Sequence, residues 1–155
     1  MNLIYILLHT KTDEMHANLL AQFFLRRTRK KYLTLVSPSP DPSIADEGTI
    51  DSPVGGRPAK SNYRIVERYG KNGALVEFEI YTGRKHQVRV HAVDGLSTPV
   101  LMDDLYGVPT ETKDDAKQRF FLHSSSLEIP EYGIDESAPL PAWWDETIAA
   151  FRQEA

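Results

Sequence analysis

The chain has 155 residues, of which 41% are hydrophobic, and it contains no cysteine. A chain of this size buries about 70% of its unfolded surface, so we expect one domain with a single core over residues 1–155. Without cysteine there are no disulfides or thiolate zinc sites, which favours a reducing, cytoplasmic compartment, and the net charge of −4 argues against a uniformly basic surface.

The first predicted element is an apolar segment over residues 3–8. It is far shorter than the roughly 20 residues that a membrane span needs, and no basic segment precedes it as in a signal peptide. We therefore expect a buried strand and no membrane partner. Any targeting segment would lie upstream of Met1.

A helix is predicted over residues 13–28. Thr12 is a suitable N-cap, and Asp13 and Glu14 in the first turn complement the helix dipole. The spacing of the apolar residues places one face of the helix on the core. That face comprises Met15, Leu19, Leu20, Phe23 and Phe24.

A basic run over residues 26–31 ends this helix, and residues 32–36 alternate as a strand should. Residues 37–60 hold five prolines and paired glycines, which predicts a surface loop with at most a short strand near Ile50. A hairpin follows, with strands over residues 63–68 and 74–81 around an Asn-Gly pair. One face of its second strand comprises Ala74, Val76, Phe78 and Ile80.

The remaining elements are a helix that begins after residue 82 and ends near Gly95, a strand over residues 120–129 and a closing helix. The closing helix is indicated by Trp143, Trp144, Ile148 and Phe151. Because neighbouring strands are hairpin-linked, the predicted class is α+β, with a mixed, largely antiparallel sheet and flanking helices.

Residues 82–91 are unusually polar and read T-G-R-K-H-Q-V-R-V-H. No core needs so many polar groups together. With the run at 26–31, these cations could form a basic face that contacts phosphates and weakens with salt, while the acids concentrate in residues 41–51 and after residue 111.

The segment at 82–91 resembles the T-G-R-x-H-Q-I-R-x-H motif of the RluA-type RNA pseudouridine synthases. Further segments resemble the same family in the same order, namely residues 11–17, 30–36, 56–63, 99–107 and 122–124. The resemblance implies the catalytic-domain fold of that family and isomerisation of uridine to pseudouridine in rRNA or tRNA, without cofactor or metal. His86 and His91 are five apart and no H-E-x-x-H pairing occurs, so the residues also predict no metal site.

The family's nucleophilic aspartate lies in an H-R-L-D segment, which does not occur in these 155 residues. We therefore expect an N-terminally incomplete catalytic domain that is inactive by itself. Two alternatives are a non-catalytic RNA-binding relative and a gene fragment without stable function.

The resemblance also implies roles for single residues. Arg89 would pair with the family's nucleophilic aspartate. Because that aspartate is absent from these residues, we expect Arg89 to have lost its partner; the alternative is that Arg89 forms an ordinary surface ion pair. Tyr32 would stack on the target base and help to move its proton, or else pack on the sheet. Leu122 would line the uracil pocket, or else be a core leucine.

RNA contacts are predicted at two places. Arg84 and Lys85 follow a strand end, where they could meet a phosphate. The basic run could do the same or could simply complement the helix dipole; its cations are Arg26, Arg27, Arg29, Lys30 and Lys31. Structural roles are expected for His86, His91 and the turn-forming Asp103, whereas Met102, Asp104 and Ser124 depart from the family pattern.

Overall fold

The computed structural model describes residues 6–107 and 121–153. Its elements are three α-helices, six strands and a 3-10 turn at Pro130–Tyr132. The helices are α1 (Asp13–Phe24), α2 (Gln87–Leu96) and α3 (Trp143–Gln153); the strands are β1 (Arg29–Val36), β2 (Glu47–Asp51), β3 (Lys60–Tyr69), β4 (Gly73–Ile80), β5 (Leu122–Ile129) and β6 (Ile134–Ser137).

The strands form one sheet in the order β2-β3-β4-β1-β5-β6, and all neighbouring pairs are antiparallel. The predicted α+β class with a largely antiparallel sheet is thus confirmed. The hairpin around the Asn-Gly pair is confirmed as β3 and β4. The short strand near Ile50 is β2, which crosses the predicted loop at residues 37–60.

Helix α1 ends four residues earlier than predicted, at Phe24. Leu25 caps it, Arg26 takes a left-handed conformation with φ of 56°, and Arg27 N donates to Gln22 O at 2.9 Å. This closing pattern turns the chain directly into β1. The basic run therefore begins strand β1 instead of extending the helix.

The predicted apolar face of α1 is only partly correct. Leu19 is buried, but Leu20 is 43% and Phe24 82% exposed. The helix contacts the sheet through a narrow stripe, because only Leu127 and Ile129 form a buried cluster with Leu19.

The predicted strand over residues 3–8 is wrong for the part that the structure describes. Residues 6–8 have no strand pairing, and Leu7 is 79% exposed. Ile6 and Leu8 instead pack against the α1 cluster. The segment therefore packs against the cluster between α1 and the sheet and is not one of the paired strands.

The main core lies between the sheet and helices α2 and α3. It includes Phe78 from β4, Val88 and Ala92 from α2, and Trp144 and Ile148 from α3. Among the described residues, no helix is long and apolar enough to cross a membrane.

Candidate functional site

The polar segment at 82–91 is held by a buried hydrogen-bond network centred on Gln87. Its Oε1 accepts from Thr82 Oγ1 at 2.7 Å and from Arg84 N at 3.1 Å. Its Nε2 donates to Lys60 O and to Ser61 Oγ, both at 3.0 Å. One side-chain amide thus ties the start of α2 to the end of β4 and to β3.

His91 extends this network. Its ring nitrogens lie 2.9 Å from Ser61 Oγ and 3.1 Å from Ser52 O. Because a carbonyl only accepts, Nε2 carries the proton and Nδ1 accepts from the Ser61 hydroxyl. Burial lowers the pKa of His91, with the bond to Ser52 acting in the opposite direction. A neutral His91 satisfies these partners, which agrees with the structural role expected from the sequence.

Arg89 is paired, which corrects the expectation that it has lost its partner. Its Nε donates to Asp103 Oδ2 at 2.8 Å and its second guanidinium nitrogen to Oδ1 at 2.5 Å. The Asp103 side chain is fully buried and that of Arg89 is 12% exposed. A charge this far from water needs a counter-charge, and Asp103 supplies one from the loop after α2.

Asp103 also forms the turn that carries it, as the sequence predicts. Its Oδ1 accepts from the backbone amides of Leu105 and Tyr106, both at 3.0 Å. Burial would raise the pKa of Asp103, but the hydrogen bonds from Arg89, Tyr106 and Leu105 outweigh burial and lower it. Both carboxylate oxygens accept hydrogen bonds, and the side chain is buried. Asp103 therefore holds the turn and Arg89 in place and is not exposed as a nucleophile would be.

Tyr106 and His86 complete this cluster on the outer side of α2. The guanidinium of Arg89 lies 4.9 Å from the Tyr106 ring centroid, and the Tyr106 hydroxyl lies 3.2 Å from His86 Nδ1. Partial burial lowers the pKa of His86, and the charges of Arg89 and Lys85 lower it further. A neutral imidazole therefore lies beside the buried ion pair.

Tyr32 belongs to a second group of residues, which lies at a β-bulge between β1 and β5. The pairing of β1 with β5 shifts between Lys31 and Tyr32, so that Ser125 has no opposite residue. Such a bulge redirects the neighbouring side chains. It brings Ser124 opposite Tyr32 and leaves Leu127 opposite Lys30, all on one face.

A cavity of about 280 Å³ opens between this part of the sheet and α1, near the lower end for small-molecule sites. Tyr32, Ser124 and Lys30 supply its polar groups on the sheet side. Burial raises the pKa of the Tyr32 hydroxyl, while a hydrogen bond with Ser124 lowers it in part. Its apolar lining comes from Ile6, Leu8, Leu19, Leu20, Phe23 and Leu127.

The other predicted site residues fall at different places. Leu122 is opposite Thr34, further along the sheet from Tyr32, and packs against the main core. Arg26 and Arg27 of the basic run are exposed in the turn before β1, and its other three cations are divided between the two faces of β1. Arg29 and Lys31 face carboxylates, at 3.5 Å from Glu128 and 3.8 Å from Glu77, whereas Lys30 faces the cavity.

Two features of the site were missed from the sequence. The position of Lys30 in the cavity of Tyr32 is predictable from strand alternation, since residues i and i+2 of a strand share a face. The pairing of Asp103 with Arg89 had no local signal, because it joins a helix to a loop. Within the described residues, no group of three or more His, Asp or Glu side chains could hold a metal ion.

Comparison with known proteins identifies relatives of this chain. The family model for RNA pseudouridylate synthases matches residues 6–93. A protein of Chloroflexus aurantiacus described as an uncharacterized RNA pseudouridine synthase is 34% identical, covering 88% of this chain and 46% of the relative. A similarly described protein of Zymomonas mobilis is 32% identical, covering 87% and 67%. The dual-specificity RNA pseudouridine synthase RluA of Escherichia coli K12 is 33% identical, covering 84% and 65%.

Two solved structures show the same fold. Human RNA Pseudouridylate Synthase Domain Containing 4 superposes with a TM-score of 0.73 over 91% of this chain and 69% of that one, at 22% identity. Human RNA Pseudouridylate Synthase Domain Containing 1 gives 0.67 over 92% and 73%, also at 22% identity. The chain spans about half the length of the Chloroflexus relative (46%) and two thirds of the Zymomonas relative (67%).

Proposed function

Because this chain belongs to the RNA pseudouridylate synthase family, we propose that it binds structured rRNA or tRNA and holds a uridine of that RNA for isomerisation to pseudouridine. In this proposal the base stacks on Tyr32 at the cavity. Arg84 and Lys85 contact the RNA backbone, and the protein uses neither a cofactor nor a metal.

The observation that carries the proposal is that residues 82–91 contain both buried residues that hold the segment in place and cations that reach the surface. Thr82, Gln87 and His91 face inward and form the buried network. Lys85 is exposed and Arg84 half-buried beside them. A rigid turn that carries two cations fits recognition of a phosphate backbone, since the main chain beneath them needs no reordering on binding.

The Tyr32 site supports the same proposal. An aromatic side chain with a hydroxyl at the edge of a largely apolar cavity offers a stacking surface and one polar contact to a base that has left its helix. Its raised pKa keeps the hydroxyl protonated at neutral pH. In that state Tyr32 can donate a hydrogen bond to an oxygen of the base.

Bond-making in this reaction needs a nucleophilic carboxylate in addition to these groups. The 155 residues contain no H-R-L-D segment, and Asp103 is fully buried against Arg89. We therefore expect RNA binding without isomerisation from these residues alone. Release of tritium from RNA labelled at carbon 5 of uridine, by the purified 155-residue chain, would contradict that part.

RNA binding is tested with Arg84→Ala combined with Lys85→Ala. Fluorescence anisotropy with an rRNA or tRNA transcript at low salt should show about a tenfold or greater loss of affinity. The dependence of log affinity on log salt should become shallower by about 0.7–0.9 per lost phosphate contact.

The matched control removes two cations elsewhere, Lys71→Ala with Arg152→Ala, and leaves affinity within about twofold. Equal losses in the two double variants would mean that the RNA senses only net charge. No binding of the unaltered chain at low salt would end the proposal.

A further inference from the structure

Lys30 differs from the other cations of the basic run in its surroundings. Its side chain lies on the same face of β1 as Tyr32 and lines the same cavity. Its Nζ lies 5.6 Å from the centre of the Phe23 ring. Among the described residues, no carboxylate comes within 4.0 Å of it, whereas Arg29 and Lys31 both have one.

Gly83 lies near the same ammonium group. A Cβ built on Gly83 would come 4.0 Å from Lys30 Nζ, and no other described atom outside the adjoining residues is that close. The space above the backbone of residue 83 is therefore open and is bordered by one positive charge. A glycine at such a place lets a ligand approach the main chain closely.

The Lys30 ammonium and the open space above Gly83 have the features of an anion-binding site, here called the phosphate seat, beside the ring of Tyr32. Lys30 and Tyr32 are two residues apart on one strand, about 6.6 Å along it, which suits the phosphate and base of one nucleotide joined by its ribose. Resting on the proposed function, we propose that Lys30 and Gly83 bind the phosphate group of the same nucleotide whose base stacks on Tyr32. Lys30 is thus a substrate-binding residue, distinct from the cations that follow the RNA backbone.

The electrostatics agree with this assignment. Burial lowers the pKa of Lys30, because the ammonium has lost water and no carboxylate of residues 6–107 or 121–153 lies within 4.0 Å of it. A phosphate oxygen would supply the missing counter-charge and a charge-assisted hydrogen bond. The Phe23 ring, 5.6 Å from the ammonium, is a weaker partner than a phosphate would be.

The test compares uridine 5′-monophosphate with uridine as ligands, by NMR titration of the isotope-labelled 155-residue chain at low salt. The unaltered chain should bind the nucleotide about tenfold more tightly than the nucleoside, the size of one charge-assisted hydrogen bond. Lys30→Met should reduce this preference, the ratio of the two affinities in the same variant, to less than about twofold. The preference should also shrink as salt is added.

Lys31→Met is the matched control, since it removes the neighbouring charge on the opposite face of the strand. It should retain the preference for the nucleotide. Gly83→Ala is a second variant that leaves every charge in place. Its methyl group enters the phosphate seat, so it should weaken binding of the nucleotide and not of uridine.

The outcomes separate the inference from the proposal on which it rests. If uridine perturbs Tyr32 and its neighbours but the phosphate adds nothing, or Lys30→Met keeps the preference, the inference fails and the base site stands. If Lys31→Met removes the preference equally, the effect is one of net charge and the inference also fails. If neither ligand perturbs the Tyr32 cavity, both the base site and the phosphate seat are overturned.

Discussion

Asp103 binds Arg89 through both carboxylate oxygens, with a fully buried side chain and distances of 2.8 and 2.5 Å to the guanidinium nitrogens. The pair links α2, which begins within the polar segment at residues 82–91, to the turn at residues 103–106. It therefore fixes the orientation of Arg89 relative to the sheet. A guanidinium held by two hydrogen bonds to one carboxylate keeps its charge at one place.

The first prediction concerns the stability of this pair. Asp103→Asn keeps an oxygen for the turn but removes the negative charge that Asp103 places against the buried guanidinium of Arg89. Loss of one partner of a buried pair costs about 3–5 kcal/mol, so we expect a loss of that order in the free energy of unfolding. Urea denaturation followed by circular dichroism measures it.

Glu67→Gln is the control for that experiment, because Glu67 pairs with Arg152 at 2.6 Å on the exposed surface. Exposed pairs contribute about 0–1 kcal/mol. A cost for Asp103→Asn no larger than the cost for Glu67→Gln would show that the buried pair does not anchor the turn.

The second prediction is the dependence of stability on acid. The pKa of Asp103 is lowered in the folded protein, so the unfolded carboxyl, near its ordinary value of about 3.9, binds protons at higher pH than the folded one. The stabilisation is therefore complete above about pH 5 and is lost as the pH falls through the lower folded value.

The difference in free energy of unfolding between the unaltered protein and Asp103→Asn isolates this contribution from those of other carboxylates. It should be largest near neutral pH and should shrink steadily below about pH 4. Urea denaturation at pH 7, 5, 4 and 3 measures it. A difference that stays constant over this range would mean that Asp103 has the same pKa in both states.

The third prediction concerns Met102, which has a positive φ of 63° and a half-exposed side chain. Glycine takes this conformation without the steric cost of a Cβ. Met102→Gly should therefore stabilise the protein by up to about 1 kcal/mol, after the greater entropy of the unfolded glycine is subtracted. Thermal denaturation should show a raised melting temperature.

Met102→Ala tests the reason for that gain. It removes the same exposed side chain but keeps the Cβ, so its melting temperature should stay close to that of the unaltered protein. A gain equal to that of Met102→Gly would attribute the effect to the lost side chain and not to backbone strain.

The fourth prediction concerns Ser124, which is opposite Tyr32 at the bulge. Its hydrogen bond lowers the pKa of Tyr32 against the larger raising effect of burial. Ser124→Ala should therefore raise the pKa of Tyr32 further, because only burial remains. Alkaline titration of tyrosinate absorbance, with Tyr32→Phe subtracted to isolate the residue, measures the change. An unchanged or lowered value would mean that the two hydroxyls do not interact.

Much of the fold follows from local patterns in the sequence. The Asn-Gly pair and the alternating residues on both sides predict the hairpin, and β3 and β4 form it. The end of α1 was predicted less well. It depends on Arg26 taking a left-handed conformation, and neither glycine nor asparagine, the usual residues in that conformation at a helix end, marks the position. The apolar composition of residues 3–8 predicts a strand, but Ile6 and Leu8 are apolar because they pack against the cluster between α1 and the sheet.

The candidate site divides in the same way. By itself the sequence determined the family resemblance, the α+β class, and the importance of residues 82–91 and Tyr32, since these depend on residue types at fixed spacing. Only the tertiary structure decided that Asp103 is the partner of Arg89, that Lys30 and Lys31 serve opposite faces, and that Gly83 lies beside Lys30. The reason is physical: these relationships depend on strand order, a one-residue bulge and the docking of α2, and each of them joins segments that no local pattern relates.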